Sequence, residues 1–447
     1  MNIEICSIGG FSEVGKNSTA IKVNDQVIIL DMGLHMENYI RYTEDEDIRA
    51  LTYDELLEVD AVPDFRLIKD WKDKVIAIVP SHGHLDHIGA IPFSANFFPK
   101  APIISTPYTI EVLKSIFRDE GIKIPNQLIS LNSNSKYKLS EEITIELVHV
   151  THSIPHSSMV VIHTPYGAII YANDYKFDRQ PTLGKTPNFE RLKQLGKEKP
   201  LLLIVESLYA DEMGKTPSES VAKQMLKDVV LGIPTEGKSI VVTTFSSHLA
   251  RLKSIIEMGK ILNRRIIFIG RSLSKYVTAG EKINLIDFEK DVLIVKQRDK
   301  VENILKKINK IGKEKFLLVV TGHQGEPKAI LSKMVKGELP FNFHSGDVVI
   351  FSCNVIPAEL NKENRENLEH QLKQKGVRIF RDIHVSGHAY REDHRDLIEM
   401  LRPKNIIPSH AGNDKAKAMG ELAEELGYKI NKNFHIMQNG KRIKLTG

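Results

Sequence analysis

Three imidazoles and one carboxylate fall within six residues at His82-Gly83-His84-Leu85-Asp86-His87. In a chain with 17 histidines among 447 residues, a specified His-x-His-x-Asp-His arises by chance in roughly one chain in a thousand. Imidazole nitrogens and carboxylate oxygens together bind divalent cations, so metal-assisted chemistry is expected if the rest of the chain supplies further ligands. Cys6 and Cys353 are the only cysteines and lie far apart, which excludes a disulfide framework and thiolate zinc sites. The spacing is not helical, because Gly83 separates His82 from His84. It predicts a strand ending at Ser81, a ligand loop, and a helix opening near Asp86.

Further candidates follow. "HVTHSIPHSSM" offers His149, His152 and His156, "YANDYKFD" offers Asp174, "DIHVSGHAY" offers His384 and His388, and "NIIPSHAG" places His410 at a strand end. Most stand where a predicted strand gives way to a loop. Ligands gathered from many strand ends suggest one site at one edge of a sheet.

The elements that must position them read as two textures. In the first half, "QVIILDMG" and "KVIAIVPS" are predicted buried strands, and "SMVVIHTPYGAIIYAND" is a hairpin turning at Pro165, Tyr166 and Gly167. The acidic stretch between Glu37 and Lys74 reads as a surface excursion. From about Glu206 the pattern alternates helix and strand, which predicts a parallel, helix-covered, doubly wound domain. At 447 residues, two domains or one domain with a large insertion is expected. No apolar run approaches a membrane span, "MNIEICSIGGF" lacks the form of an export signal, and a cytoplasmic protein is expected. The net charge of +5 is compatible with a polyanionic partner and equally with simple solubility.

On these residues the chain resembles the metallo-β-lactamase superfamily. His82, His84, Asp86, His87, His152, Asp174 and His410 look like its ligand set, and Asp31 in "LDMG" matches its first motif. Glu206 in "VES", His388 in "HVSGH" and His410 look like the three extra motifs of the β-CASP nuclease branch. "GGFSEVGKN", "TTFSSHLAR", "TGHQGEP" and "HVSGHA" together resemble ribonuclease J in its archaeal form. The implied fold is an αββα metallo-β-lactamase sandwich (1–205 and a return segment, 361–447) with an inserted doubly wound β-CASP domain (206–360). Three positions depart from the family pattern. Asn173 precedes Asp174 where glycine is common, His156 stands where related enzymes often carry Asp, and Ala411 follows the last histidine.

The resemblance implies a metal-dependent exoribonuclease that degrades single-stranded RNA in the 5′-to-3′ direction and prefers 5′-monophosphate ends. Seven N/O ligands exceed what one tetrahedral ion uses, so two divalent ions are implied, zinc or manganese. His82, His84 and His152 would hold one, Asp86, His87 and His410 the other, and Asp174 would bridge them. Two ions about 3.5–4 Å apart suit in-line phosphoryl transfer. The catalytic group is then His388 as proton donor, Glu206 against it, and Asp86. Asp31 is read as orienting a ligand or a loop rather than binding metal. His384 and Ser386 are read as phosphate contacts, with turn stabilisation the alternative, and with Ser246 and Ser247 they would form a pocket for the terminal phosphate. Arg271 and Gln324 divide between RNA contact and local structure. A homodimer is implied by the family habit.

The rivals are an endoribonuclease of the same branch acting in RNA 3′-end processing, a DNA nuclease, and a small-molecule metallo-hydrolase, which has no need of an inserted domain. A catalytically silent RNA-binding subunit is opposed by the complete ligand set. "GFSEVGKN" fits a phosphate loop until Asn17, which replaces the Ser or Thr that binds magnesium, and it precedes a strand rather than a helix.

Overall fold

The computed structural model describes residues 2–43, 51–356 and 358–445. Short Ile- and Val-rich runs form the strands, as β-branched side chains favour. Among the described residues a seven-stranded sheet runs in the order Arg442–Leu445, Ile3–Gly9, Ser18–Val23, Gln26–Leu30, Val75–Val79, Ile103–Ser105, Leu128–Ser130. Its first three pairings are antiparallel and its last three parallel. A six-stranded sheet follows the order Ile406–Ser409, Leu202–Glu206, Gly167–Ala172, Ser158–Thr164, Thr144–His149, Ser135–Lys138.

The period-2 alternation of a strand sorts side chains to two faces. Ile3, Ile5, Ile28, Leu30, Ala77 and Val79 of the first sheet meet Ile145, Leu147, Val160, Ile162, Ile169 and Ile204 of the second in one buried core. The residues between them turn the other way: Ile170, Ala172, Leu203 and Val205 pack against Leu192, Leu195, Leu397, Ile398, Met419 and Leu422. Those six come from the helices Phe189–Lys197, Arg391–Leu401 and Asn413–Glu425. The helix Pro107–Glu120 lies on strands of the first sheet. This is the expected αββα sandwich.

The second unit holds a six-stranded sheet in the order Val292–Val295, Arg265–Ile269, Phe316–Val320, Ile240–Thr243, Val348–Phe351, Arg378–Phe380, every neighbouring pair parallel. Val241, Ile267, Leu318, Val349 and Phe351 bury against the helices Arg298–Ile311, Ile330–Lys336 and Glu359–Gln374. The alternate residues Val242, Phe268, Val319 and Ile350 are equally buried on the opposite face. Helices Leu249–Ile261 and Arg271–Lys282 contact the sheet through the strand Arg265–Ile269. The domain is doubly wound.

Two expectations need correction. The compact units are 1–178 with 186–216 and 387–447, and 179–185 with 217–386. The boundaries expected at 206 and 361 therefore move to 217 and 387. Residues 361–386 belong to the inserted unit because Glu359–Gln374 covers its core and Arg378–Phe380 extends its sheet. Nor is 37–74 a surface excursion where it is described. Tyr53, Leu56, Phe65, Ile68 and Trp71 are buried from the helix Tyr53–Glu58 and the 3-10 segment Phe65–Lys74; residues 44–50 of that reading lie outside the described residues. No helix among the described residues is long and apolar enough to cross a membrane.

Candidate active site

Most site residues stand at or just beyond the end of a strand of the first unit. The strand Val75–Val79 ends before Ser81 and His82, and the four-residue helix Leu85–Ile88 begins directly after His84. Gly167–Ala172 leads to Asp174, Leu202–Glu206 ends on Glu206, and Ile406–Ser409 leads to His410, which the parallel register Glu206↔Ser409 sets beside it. Asp31, Asp174 and His410 all adopt positive φ, at 57°, 55° and 56°. For residues other than glycine, that conformation costs roughly 1–3 kcal/mol each and concentrates at functional sites.

Two groups of four donors result. His82, His84, His152 and Asp174 present one ligand atom each within 4.8 Å of one another, and so do Asp86, His87, His410 and Asp174. In the first group His84 Nδ1 stands 3.2 Å from His82 Nε2 and 3.1 Å from His152 Nε2. Asp174 Oδ2 lies 3.5 and 3.4 Å from those Nε2 atoms and 3.1 Å from His87 Nε2. Asp174 Oδ1 is 3.6 Å from His410 Nε2.

The outer nitrogens are committed elsewhere. His152 Nδ1 donates to the Gly387 carbonyl at 2.7 Å, His87 Nδ1 to Asp31 at 2.7 Å, and His410 Nδ1 to Asn17 Oδ1 at 2.8 Å. For His152 and His410 this bond fixes the tautomer that leaves Nε2 as a lone pair facing the group, the arrangement of a metal-ligating histidine; burial disfavours a charge on His87, but Asp174, Asp86 and Asp31 outweigh it and hold that ring well above the usual imidazole range. Asp31 also accepts from the Ser81 amide and hydroxyl and from the Tyr171 hydroxyl, and it stands outside both donor groups. Its position suits a residue that orients His87.

Burial holds His82 and His152 well below the usual imidazole range and takes His84 to about 4. Three neutral rings thus aim lone pairs at one another beside a buried carboxylate whose Oδ1 makes no hydrogen bond. A divalent cation satisfies such a donor set, and the N/O ligands fit one.

Beside these groups, His388 Nδ1 lies 2.7 Å from Glu206 Oε2 and 4.0 Å from Asp174 Oδ1. Burial disfavours the charged ring, but Glu206 and then Asp174 outweigh it and raise His388 to about 9. Glu206 is fully buried, and its Oε1 accepts from the Tyr175 and Ala389 amides at 3.1 and 3.3 Å.

Several sequence candidates fall elsewhere. His149 and His156 belong to neither donor group. His156 has positive φ, and its Nδ1 is buried without a hydrogen bond. His384, Ser386, Ser246, Ser247, Gln324 and Arg271 lie in the second unit, in loops or, for Arg271, a helix start beyond the carboxyl ends of its parallel strands, the edge where such sheets bind ligands. Arg271 is exposed at the start of its helix. For Gln324 the structure shows the local-structure half of the expectation. It is 4% exposed, its Nε2 donates to the Asn354 carbonyl and its Oε1 accepts from the Ile356 amide, so the side chain ties two loops together.

Sequence reasoning passed over Asn17, whose only role there was to spoil a phosphate loop, and also Ser81, Tyr171, Gly387 and His394. Asn173 donates to the Tyr171 hydroxyl at 2.7 Å, so this departure from the family pattern has a local function.

Comparisons with known proteins bear on the family. The metallo-β-lactamase superfamily model matches residues 12–201, the ribonuclease J β-CASP domain 237–368, and the Zn-dependent metallo-hydrolase RNA specificity domain 377–433. A crystal structure of a protein of unknown function from Enterococcus faecalis, 18% identical, superposes over 100% of both chains with a TM-score of 0.67, which bears on the fold alone. Ribonuclease J of Methanocaldococcus jannaschii is 43% identical over 99% of this chain and 98% of its own. Ribonuclease J of Pyrococcus abyssi is 45% identical over 100% and 98%. With the sandwich, the inserted parallel sheet and the shared-carboxylate donor groups in place, similarity of this extent over the full length means that the chain belongs to the ribonuclease J family of the metallo-β-lactamase superfamily.

Proposed function

We propose that the protein is a metal-dependent ribonuclease that removes nucleotides from the 5′ end of single-stranded RNA, preferring a 5′-monophosphate. The observation that carries this reading is Asp174, shared between two groups of imidazole and carboxylate donors and set next to the His388–Glu206 pair. His82, His84 and His152 would hold one ion, Asp86, His87 and His410 the other, with Asp174 common to both; zinc and manganese both suit these donors. When bound, the ions supply Lewis acidity toward the phosphodiester oxygens and an attacking water.

The chain's own residues do the rest. Asp31, Asn17 and the Gly387 carbonyl hold the rings of His87, His410 and His152. The leaving ribose oxygen needs a proton, and His388, one-fifth exposed and raised to about 9, carries one at neutral pH. With Nδ1 committed to Glu206, Nε2 is the nitrogen that delivers it. The terminal phosphate would sit against Ser246, Ser247, His384 and Ser386, with Arg271 along the RNA. The family resemblance supports the 5′ direction, and we extend it to a cytoplasmic homodimer, a state that light scattering tests.

The test uses one RNA sequence in 5′-monophosphate, 5′-triphosphate and circular forms, in manganese and in zinc, with His84→Ala as control. Mononucleotides from the linear monophosphate alone, absent in the control, are the expected result. Internal cuts in the circle would instead make the protein an endoribonuclease.

A further inference from the structure

Behind Glu206 lies a polar pair that the metal groups and the proton donor do not use. Tyr175 and His394 are both fully buried, in a core otherwise lined by Val205, Ala389, Leu397 and Ile398. The Tyr175 hydroxyl and His394 Nδ1 are 2.9 Å apart, across 219 residues of sequence. Burial takes His394 down to about 4. The phenol is therefore the donor and the neutral ring the acceptor, which puts the ring's proton on Nε2. That nitrogen makes no hydrogen bond of ordinary geometry, although the Ala389 carbonyl acts on the ring electrostatically.

Burying two polar side chains costs free energy that one mutual hydrogen bond offsets only in part, because His394 Nε2 is left without one, so a Phe–Leu pair would fill this core at least as well. The neighbours suggest what the polar pair does. Tyr175 and Ala389 are the two residues whose amides donate to Glu206 Oε1, and His394 sits against both, bonded to the Tyr175 side chain and beside the Ala389 carbonyl. His394 is itself fixed, since its amide donates to the Tyr390 carbonyl in the first turn of the helix Arg391–Leu401. The next residue back, Asp393, accepts from the Thr216 amide at 2.8 Å, and Thr216 Oγ1 donates to the His388 carbonyl at 2.7 Å. His394 thus joins the helix start to the cradle of Glu206, and Asp393 with Thr216 joins the same helix start to the proton donor's backbone.

We propose that Tyr175 and His394 are positioning residues that act as one unit, clamping the 175 and 389 backbones so that their amides hold Glu206 in register with His388. The pair's side-chain hydrogen bond is made within the pair and not to a metal-ligand side chain. Its contribution is made through Glu206, so it appears in turnover rather than in RNA binding or metal content. The inference rests on the reading of His388 and Glu206 as the proton-donating pair.

The experiment measures kcat and KM on 5′-monophosphorylated single-stranded RNA, metal content and thermal stability for Tyr175→Phe, His394→Phe, their double variant, His394→Asn and Glu206→Gln. We expect each single Phe variant to lower kcat roughly tenfold with KM and metal content unchanged. The double variant should be no worse than either single, and His394→Asn, which can still accept from the phenol, should recover part of the loss. Wild-type kcat in Tyr175→Phe beside an inactive Glu206→Gln would overturn this inference alone. So would losses that multiply in the double variant or follow metal content. Full activity in Glu206→Gln would overturn the proton-donor reading and this inference with it.

Discussion

Asn17 holds His410 from 393 residues away: the ring's Nδ1 donates to the Asn17 carbonyl oxygen at 2.8 Å. The other end of the same amide donates to the Asp86 carbonyl at 3.1 Å and lies 3.2 Å from His87 Nε2. One buried side chain thus touches all three residues of the group Asp86, His87 and His410. Partners of this kind orient metal-ligating imidazoles, and losing one typically weakens the ion about 10- to 100-fold. With two ions bound as proposed, Asn17→Ala should lower the affinity of one of them by that factor, read by titration against a chelator. Two equivalents of wild-type affinity would leave Asn17 without this role.

Gly387 makes a matching prediction for the other group. Its carbonyl accepts from His152 Nδ1, and a Cβ on it would meet Ser153 Oγ at 2.8 Å and His152 Nδ1 at 3.0 Å. Gly387→Ala therefore pushes on the ring it orients. A ligand misplaced by about 1 Å can cost about a hundredfold in rate. The variant should lose turnover by that order, with weakened metal binding confined to one equivalent. Unaltered stoichiometry and rate would show that the loop yields without moving His152.

The contrast between these residues explains how much the sequence revealed. His82 to His87 were legible because the spacing is local and imidazoles are rare. The sandwich and the doubly wound domain were legible because strand and helix periods repeat along the chain. Asn17 was not, because its function exists only once His410 and Asp86 arrive from distant segments, and an asparagine after a glycine-rich turn looks like loop chemistry. Tyr175 and His394 were hidden in the same way. Gln324 stayed divided in the sequence between RNA contact and local structure, and only the folded chain shows its amide bonded to two backbone groups of a neighbouring loop. The boundary at 387 was missed because the short strand Arg378–Phe380 becomes part of a sheet only by pairing with Val348–Phe351.

In the second unit, Arg251 is a fully buried guanidinium that binds Glu219 through two nitrogens, at 2.5 and 2.9 Å, and donates to the Ser352 and Ile383 carbonyls. It joins the loops that carry His384 and Ser386 to the helix Glu219–Gly232. Removing one member of a buried ion pair costs up to about 3–5 kcal/mol, whereas replacing both can be nearly neutral; His248 Nε2, 3.3 Å from Glu219, stays as a second partner. Arg251→Met should still lower the unfolding temperature sharply, and adding Glu219→Gln should recover much of it. A double variant less stable than the single would contradict this account.

Ser386→Ala separates phosphate recognition from turn stabilisation. If Ser386 contacts the terminal phosphate, the variant should lose its preference for 5′-monophosphate over 5′-triphosphate RNA while keeping its unfolding temperature. An untouched preference would remove Ser386 from the pocket.

A pH-dependent prediction comes from Glu146, far from the donor groups. Its side chain is 4% exposed, and it accepts two bonds from Arg191, at 2.7 and 2.9 Å, and one from His163 at 2.6 Å. Burial opposes its charge, but the His163 and Arg191 bonds overcome burial and bring the carboxyl to about 2 from the usual 4.5. A carboxyl depressed by folding adds stability that is complete above its unfolded pKa and disappears as pH falls through the folded one. The window is therefore about pH 4.5 down to 2, and the full contribution is about 3 kcal/mol. Glu146→Gln, compared with wild type by thermal unfolding in excess chelator so that acid release of metal does not enter, should be markedly less stable at pH 7. The gap should narrow as the pH drops below 4.5. A gap of the same size at pH 7 and pH 3 would mean that the glutamate stabilises the helix Phe189–Lys197 by shape rather than by charge.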